Sequence, residues 1–128
     1  VDRAARLGDG YLGGPELTLE QARRWIEFYR ERCAAHGRQP SAIALRRDVY
    51  VGADSAEARA VVGPILERGY RGIDPSALVY GSVEEVAESL RAYGDMGCTD
   101  ILIRHITNEQ PHVLASIERA GRVREMVG

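Results

Sequence analysis

The sequence predicts an α/β fold that forms part of a barrel. Three segments have the apolar pattern of strands, and the helical segments between them are long enough for right-handed crossovers between parallel strands. Three strands make a poor doubly wound sheet, and the outer strands remain unpaired unless something covers them. With 128 residues and 14.1 kDa, the chain has room for one domain, which we assign to residues 1–128.

The N-terminal third predicts a helix end, a short strand and a long helix. Residues 2–7 have the pattern of a helix that stops at Gly8, where a left-handed C-cap is sterically free. The apolar pair at 11–12 predicts the strand, and a Thr-x-x-Gln capping box at 18–21 predicts the start of the long helix, which ends at Gly37. The buried stripe of that helix is predicted to contain Leu19, Ala22, Ile26, Tyr29 and Cys33, widened by Trp25 and Phe28.

The middle of the chain predicts the clearest strand. Residues 43–51 alternate, so that Ile43, Leu45, Val49 and Val51 share one face. A second helix is predicted from 54 to 67, with Ala58, Val61, Val62, Ile65 and Leu66 inward and a bend at Pro64. Residues 68–81 contain three glycines and a proline, which predicts an irregular connection.

The C-terminal third repeats the helix–strand–helix order. A capping box at 82–85 starts a helix that ends near Gly97, with a stripe of Val83, Val86, Ala87, Leu90 and Tyr93. Residues 100–106 are nearly all apolar, as in a parallel strand that is covered on both faces. Asn108 is the predicted cap of the last helix, which carries Pro111 in its first turn. The expected inward residues of this helix are Val113, Leu114, Ile117 and Val123.

Composition excludes several classes of function. The formal charge is −2, which is not that of a nucleic-acid-binding protein. All 17 basic residues are arginine, so Schiff-base and P-loop lysine chemistry are absent. No apolar run approaches the roughly 18 residues of a membrane span, and we expect a cytoplasmic protein with no membrane or nucleic-acid partner. Cys33 and Cys98 are far apart, which favours two reduced thiols over a disulfide or zinc site.

One motif match has a simpler explanation, and the motifs of a helical zinc site and a nucleophile elbow are not matched. The glycines of residues 8–13 fit G-x-G-x-x-G, but the dinucleotide motif follows a strand, whereas here a helix precedes it. The three histidines, His36, His105 and His112, lack the spacing of a helical zinc site, so we expect no metal. No Gly-x-Ser-x-Gly elbow is present, so no catalytic triad is assigned.

Charged residues within the strands are the candidate site. Arg46, Asp48 and Tyr50 share one face of the middle strand. If that face points into a barrel, the three side chains line its hydrated upper interior. The alternative, which we favour slightly, is that Arg46 and Asp48 form a structural ion pair. Arg104 and His105 end the last strand, where barrel enzymes bind ligands, and can bind an anion or donate a proton; a solvated strand end is the equal alternative.

Five segments, considered together, resemble the luciferase-like monooxygenase superfamily. They are residues 3–12, 47–51, 54–60, 81–90 and 97–104, and they occur in the order of that family. The resemblance implies that the chain is the C-terminal part of a (β/α)8 barrel, about its last three β/α units. It also implies an oxidoreductase or monooxygenase that uses reduced FMN or the deazaflavin coenzyme F420 at the C-terminal mouth of the barrel.

The resemblance carries over no catalytic or cofactor-binding residue, because the family's phosphate loop and early strands correspond to positions before Val1. It implies substrate-side wall positions for Tyr11, Arg104 and His105, with a small-molecule substrate. The 128 residues alone are expected to bind no cofactor and to be inactive, and to need the N-terminal half of the barrel or a second copy. The alternative is a non-catalytic partial barrel that dimerises to cover its strand edges.

Overall fold

The computed structural model describes residues 1–128 as one parallel sheet with five α-helices. The elements are α1 (Asp2–Leu7), β1 (Gly10–Gly13), α2 (Leu19–Ala35), β2 (Ala42–Val51), α3 (Ser55–Glu67), a 3-10 turn (Pro75–Ala77), β3 (Val79–Gly81), α4 (Val83–Asp95), β4 (Asp100–His105) and α5 (Gln110–Val127). The five helices and three strands predicted from the sequence are confirmed, and β3 is a fourth strand that was not predicted.

Strand β2 is the centre of the sheet and pairs in parallel with the other three strands. Its first half pairs with β1, with Tyr11 opposite Ile43. Its middle pairs with all of β4, and its last three residues pair with β3. Because paired residues of parallel strands point to the same side, this register assigns every strand residue to one of two faces.

One face of the sheet is covered by helices, except at Ile103 of β4, and holds the main core. Ile43, Leu45, Val49 and Val51 are at most 2% exposed, as the alternation predicted. They pack with the apolar stripes of α2 and α4, of which Ala22, Ile26, Tyr29, Cys33, Val86, Ala87, Leu90 and Tyr93 are buried. The predicted stripes of both helices are therefore confirmed, except that Leu19, Trp25 and Phe28 remain more than one-third exposed.

The other face of the sheet is open over most of its length. Leu12 and Leu102 are 60% and 46% exposed, although both lie within strands. Only the carboxyl end of this face is covered, where Tyr50 and Ile106 form a second apolar cluster with α3 residues Ala58 and Val62. The sheet thus has the covering expected of an arc of a barrel, with helices outside and an unfilled interior.

Arg47 is fully buried on the helix-covered face without a carboxylate partner. Its guanidinium donates to the carbonyl oxygens of Gly14 at 3.0 Å, Leu17 at 2.6 Å and Ala77 at 3.2 Å. It also donates to the Tyr93 hydroxyl at 3.1 Å and lies over the ring of that residue. One side chain therefore ties the β1–α2 and α3–β3 connections to α4.

Two predictions about connections are wrong. Gly8 ends α1 with φ −87° and ψ 167°, not in the left-handed region; a Cβ there would meet the Ala4 carbonyl oxygen at 3.0 Å. Residues 68–81 are not wholly irregular, because Val79–Gly81 forms β3 against the end of β2. Three residues are too few to show a strand period in the sequence.

Predictions for the C-terminal segment need three corrections. Strand β4 is not covered on both faces: Leu102 on the open face and Ile103 on the opposite face are 46% and 40% exposed. On α5, Val123 is buried as predicted, but Leu114 and Ile117 are more than half exposed. The N-cap of α5 is Glu109, and the Thr107 hydroxyl, not Asn108, accepts its N–H.

None of the five α-helices combines the length and the hydrophobicity that a membrane span requires.

Candidate functional site

An open cleft of about 820 Å³ lies at the carboxyl end of the sheet. One wall consists of α3 and the turn that follows it, including Arg68, Tyr70 and Arg71. The opposite wall consists of Arg104 at the end of β4 and the connection into α5. Ligands of parallel α/β sheets bind at this end, because the loops that follow the strands meet there.

Asp48 connects the open face of the sheet to the cleft. It is fully buried, and its Oδ1 accepts from the Arg46 guanidinium at 3.2 Å, which confirms the predicted pairing. Its Oδ2 accepts from the Tyr70 hydroxyl at 2.6 Å. Burial and this hydrogen bond to Asp48 raise the pKa of Tyr70 to about 12, although nearby Arg71 acts in the opposite direction. Both oxygens of the carboxylate are therefore engaged, and the turn after α3 is anchored to β2.

A polar network around Glu57 anchors the second wall. The Tyr50 hydroxyl donates to both Glu57 oxygens at 2.8 and 2.9 Å, and Arg119 of α5 approaches the same carboxylate at 3.4 Å. The Ser116 hydroxyl accepts the Val51 N–H at 2.9 Å. Burial, and then the Glu57 carboxylate, raises the pKa of Tyr50 to about 12. These contacts hold α5 on the carboxyl end of β2.

The charges that line the cleft are mainly positive. Arg68, Arg71 and Arg104 face it without an ion pair to any carboxylate. Of the two acidic lining residues, Glu57 is held by Tyr50 and Arg119, and the exposed Glu109 lies 3.3 Å from His112 Nε2. An anion entering the cleft therefore meets guanidinium groups that have no carboxylate partner.

The three predicted substrate-side residues do not form one site. Arg104 lines the cleft, on the same sheet face as Asp48. His105 points to the opposite face, paired with Val49; burial lowers its pKa, and its Nδ1 has no hydrogen-bond partner. Tyr11 pairs with Ile43 on the helix-covered face, where it stacks on Tyr29 with ring centroids 5.5 Å apart. Only Arg104 has the position that a cleft residue requires.

Residues 68–71 contribute to the cleft but were absent from the sequence-based candidates. The sequence feature that marks this segment is its glycines, because Gly69 and Gly72 have φ angles of +81° and +68° and bring the segment back over the sheet. Arg71 between them also has a positive φ, of 53°. The glycines predicted an irregular turn, but the contact of this turn with Asp48 depends on the hydrogen bond from Tyr70, which connects residues far apart in the sequence.

Residues 1–77 match the sequence profile of the family described as luciferase-like monooxygenase. The match covers more than half of the 128 residues. The chain belongs to the luciferase-like monooxygenase family. No curated protein sequence matches the chain.

Solved structures of similar fold include monooxygenase RslO1 from Streptomyces bottropensis, with 21% identity and a TM-score of 0.75 over 94% of this chain and 42% of that one. The oxygenating constituent of 3,6-diketocamphane monooxygenase from Pseudomonas putida, in complex with FMN, has 19% identity and a TM-score of 0.76 over 99% and 45%. An F420-dependent secondary alcohol dehydrogenase, with an F420–acetone adduct, has 15% identity and a TM-score of 0.73 over 99% and 45%. The chain thus has their α/β fold but spans less than half their length.

Proposed function

We propose that these residues form the C-terminal, substrate-side part of the barrel wall in a flavin- or F420-dependent oxidoreductase. The observation that carries the proposal is the asymmetry of the sheet. Helices cover one face, while the other exposes Leu12 and Leu102 and ends in a polar cleft at the carboxyl edge. The interior of a (β/α)8 barrel is filled by such inward side chains, and its active site lies at this edge.

Two neighbours support the choice of cofactor class. One is a monooxygenase component in complex with FMN, and the other is an F420-dependent dehydrogenase. The cationic cleft of Arg68, Arg71 and Arg104 fits an anionic group of a ligand that reaches this edge of the barrel. The cleft is open and bounded by few elements, so these residues fit the edge of a cofactor or substrate site. Bound cofactor would supply the redox chemistry, while this chain's residues bind and orient.

The cofactor test uses the product of the complete reading frame that contains these residues. It is titrated with reduced FMN and with reduced F420 under anaerobic conditions, and binding is followed by fluorescence. We expect saturable binding of one of the two. Binding of neither would refute an oxidoreductase of this family's cofactor class.

The placement of the open face has a separate test. In the same complete protein, Leu102→Asp would place a carboxylate in the filled interior of the barrel, where burial of an unpaired charge is costly. The control is Leu19→Asp, which alters a leucine that is 36% exposed in the first turn of outer helix α2. We expect a large loss of melting temperature for Leu102→Asp alone. Equal effects of the two substitutions would contradict the assignment of an interior face.

A second candidate function is a non-catalytic partial barrel that self-associates. Strand β4 favours it, because its six residues pair on one side only and Leu102 and Ile103 are exposed. Unpaired strands of this kind promote association with another chain. Sedimentation of the 128-residue chain tests the idea: a dimer that dissociates upon Ile103→Asp would support it. A folded monomer would count against it.

A further inference from the structure

We propose that Arg71 and Arg104, from opposite walls of the carboxyl-end cleft, together bind the anionic phosphate or carboxylate group of a small-molecule ligand. This proposal adds a ligand class to the proposed function. It rests on that function only in assuming that the ligand takes part in a redox reaction. The binding itself is a property of these residues and is measured without any redox assay.

The geometry of the two walls carries the first part of the argument. Arg104 is the penultimate residue of β4, on the open face, and Arg71 follows α3, so the two guanidinium groups reach the cleft from elements far apart in sequence. The nearest buried carboxylate, Asp48, lies opposite Arg104 in the sheet register. Its two oxygens are occupied by Arg46 and Tyr70, so it does not neutralise Arg104 through an ion pair.

The backbone of Arg71 carries the second part. Its φ of 53° makes it the only non-glycine residue of the chain in the left-handed region. A long side chain is unfavourable there, and glycine or asparagine occupies this conformation at lower cost. Flanking glycines at 69 and 72, also with positive φ, hold the turn in this shape. A strained backbone that presents an exposed cation to a cleft is the arrangement expected where the side chain serves binding.

The ligand class follows from the chemistry of the guanidinium group. Arginine presents parallel N–H donors that match two oxygens of a carboxylate or phosphate. We infer that one such group lies between Arg71 and Arg104, and Arg68 adds positive charge on the α3 side. The remaining lining groups Thr107 and Asn108 offer neutral polar contacts to the rest of the ligand.

The test measures binding of inorganic phosphate to the 128-residue chain by isothermal titration at low ionic strength. We expect saturable binding that weakens at least tenfold in Arg71→Asn and in Arg104→Gln. The control Arg24→Gln removes an exposed arginine on α2, away from the cleft, and should leave the affinity unchanged. Equal weakening in all three variants would show non-specific attraction to a basic surface, and no weakening in the cleft variants would also overturn the proposal.

Thermal unfolding distinguishes a binding role of Arg71 from a structural one. Asparagine suits the left-handed conformation, so Arg71→Asn should keep or raise the melting temperature while phosphate affinity falls. A lower melting temperature together with unchanged affinity would assign the side chain to the fold and refute the proposal.

FMN and riboflavin identify the source of the anion in the complete protein. They differ by the phosphate group, so a cofactor phosphate in the cleft predicts that Arg71→Asn weakens FMN binding and spares riboflavin. If the anion belongs to the substrate instead, cofactor affinity is unchanged and phosphate competes with substrate. Loss of phosphate binding in the cleft variants, combined with no flavin or F420 binding, would refute the proposed redox function and leave the anion site standing.

Discussion

Replacement of Arg47 by methionine should strongly destabilise the chain, although it removes no ion pair. Its guanidinium is fully buried and makes five hydrogen bonds, four of them to main-chain carbonyl oxygens. Methionine fills a similar volume but donates nothing. The bonds to the Ala77 carbonyl oxygen and the Tyr93 hydroxyl are buried, whereas those to Gly14, Leu17 and Arg46 are only partly so.

The magnitude follows from those two groups of acceptors. A buried polar atom left without a partner costs about 1–3 kcal/mol, so the two buried acceptors together contribute roughly 2–6 kcal/mol. Water can reach the three partly buried carbonyls, and relief from burying a charged group offsets part of the loss. We expect a net loss of about 3 kcal/mol, a large share of the roughly 5–15 kcal/mol that stabilises a typical domain.

Urea unfolding followed by circular dichroism measures the effect. Arg24→Met is the matched control, because Arg24 is exposed and makes no ion pair, and surface changes of this kind stay within about 0.5 kcal/mol. A loss of less than about 1 kcal/mol for Arg47→Met, with an unchanged slope of unfolding free energy against urea, would refute the reasoning. In that case the hydrogen bonds of Arg47 would do no more than replace those to water.

Three further outcomes follow from the contacts around the cleft. Asp48→Asn removes the negative charge that helps raise the pKa of Tyr70, so ultraviolet titration should show that pKa falling from about 12 towards 10. The unfolded state loses its tyrosine protons near pH 10, whereas Tyr50 and Tyr70 keep theirs to about pH 12. The stability that these two tyrosines contribute should therefore be constant below pH 10 and be lost between pH 10 and 12, and Tyr50→Phe should reduce that slope. Ser116→Ala leaves the buried Val51 N–H without an acceptor and should cost about 1–3 kcal/mol in urea unfolding, unlike Ser89→Ala on the exposed side of α4.

The local rules of helix and strand formation were readable from the sequence. The capping boxes at residues 18–21 and 82–85 form as predicted, since each depends on two residues three positions apart. The alternation of β2 also placed Arg47 among apolar residues on one face and Asp48 on the other. Elements whose signals are contained within a few residues were therefore predictable.

Features that depend on distant groups were not readable in the same way. The partners of Arg47 are main-chain oxygens, which every residue carries and no sequence pattern marks. Leu114 and Ile117 have helical spacing, but their burial requires a neighbouring element that residues 1–128 do not supply. For the same reason, the apolar run of β4 correctly predicted a parallel strand but wrongly predicted coverage on both faces.

Adjacent residues of β2 point to opposite faces of the sheet, so Arg47 contributes mainly to stability and Asp48 mainly to the cleft. Arg47 points into the helix-covered core and joins two connections to α4, whereas Asp48 points to the open face and anchors Tyr70 at the cleft. Because the side-chain period of a strand is two, the two side chains have different partners, although both hold the α3–β3 connection, Arg47 at Ala77 and Asp48 at Tyr70. Loss of Arg47 should therefore lower the free energy of unfolding more than it changes phosphate affinity in the molecules that remain folded. Loss of Asp48 should release Tyr70 and displace the neighbouring Arg71, which changes that affinity directly.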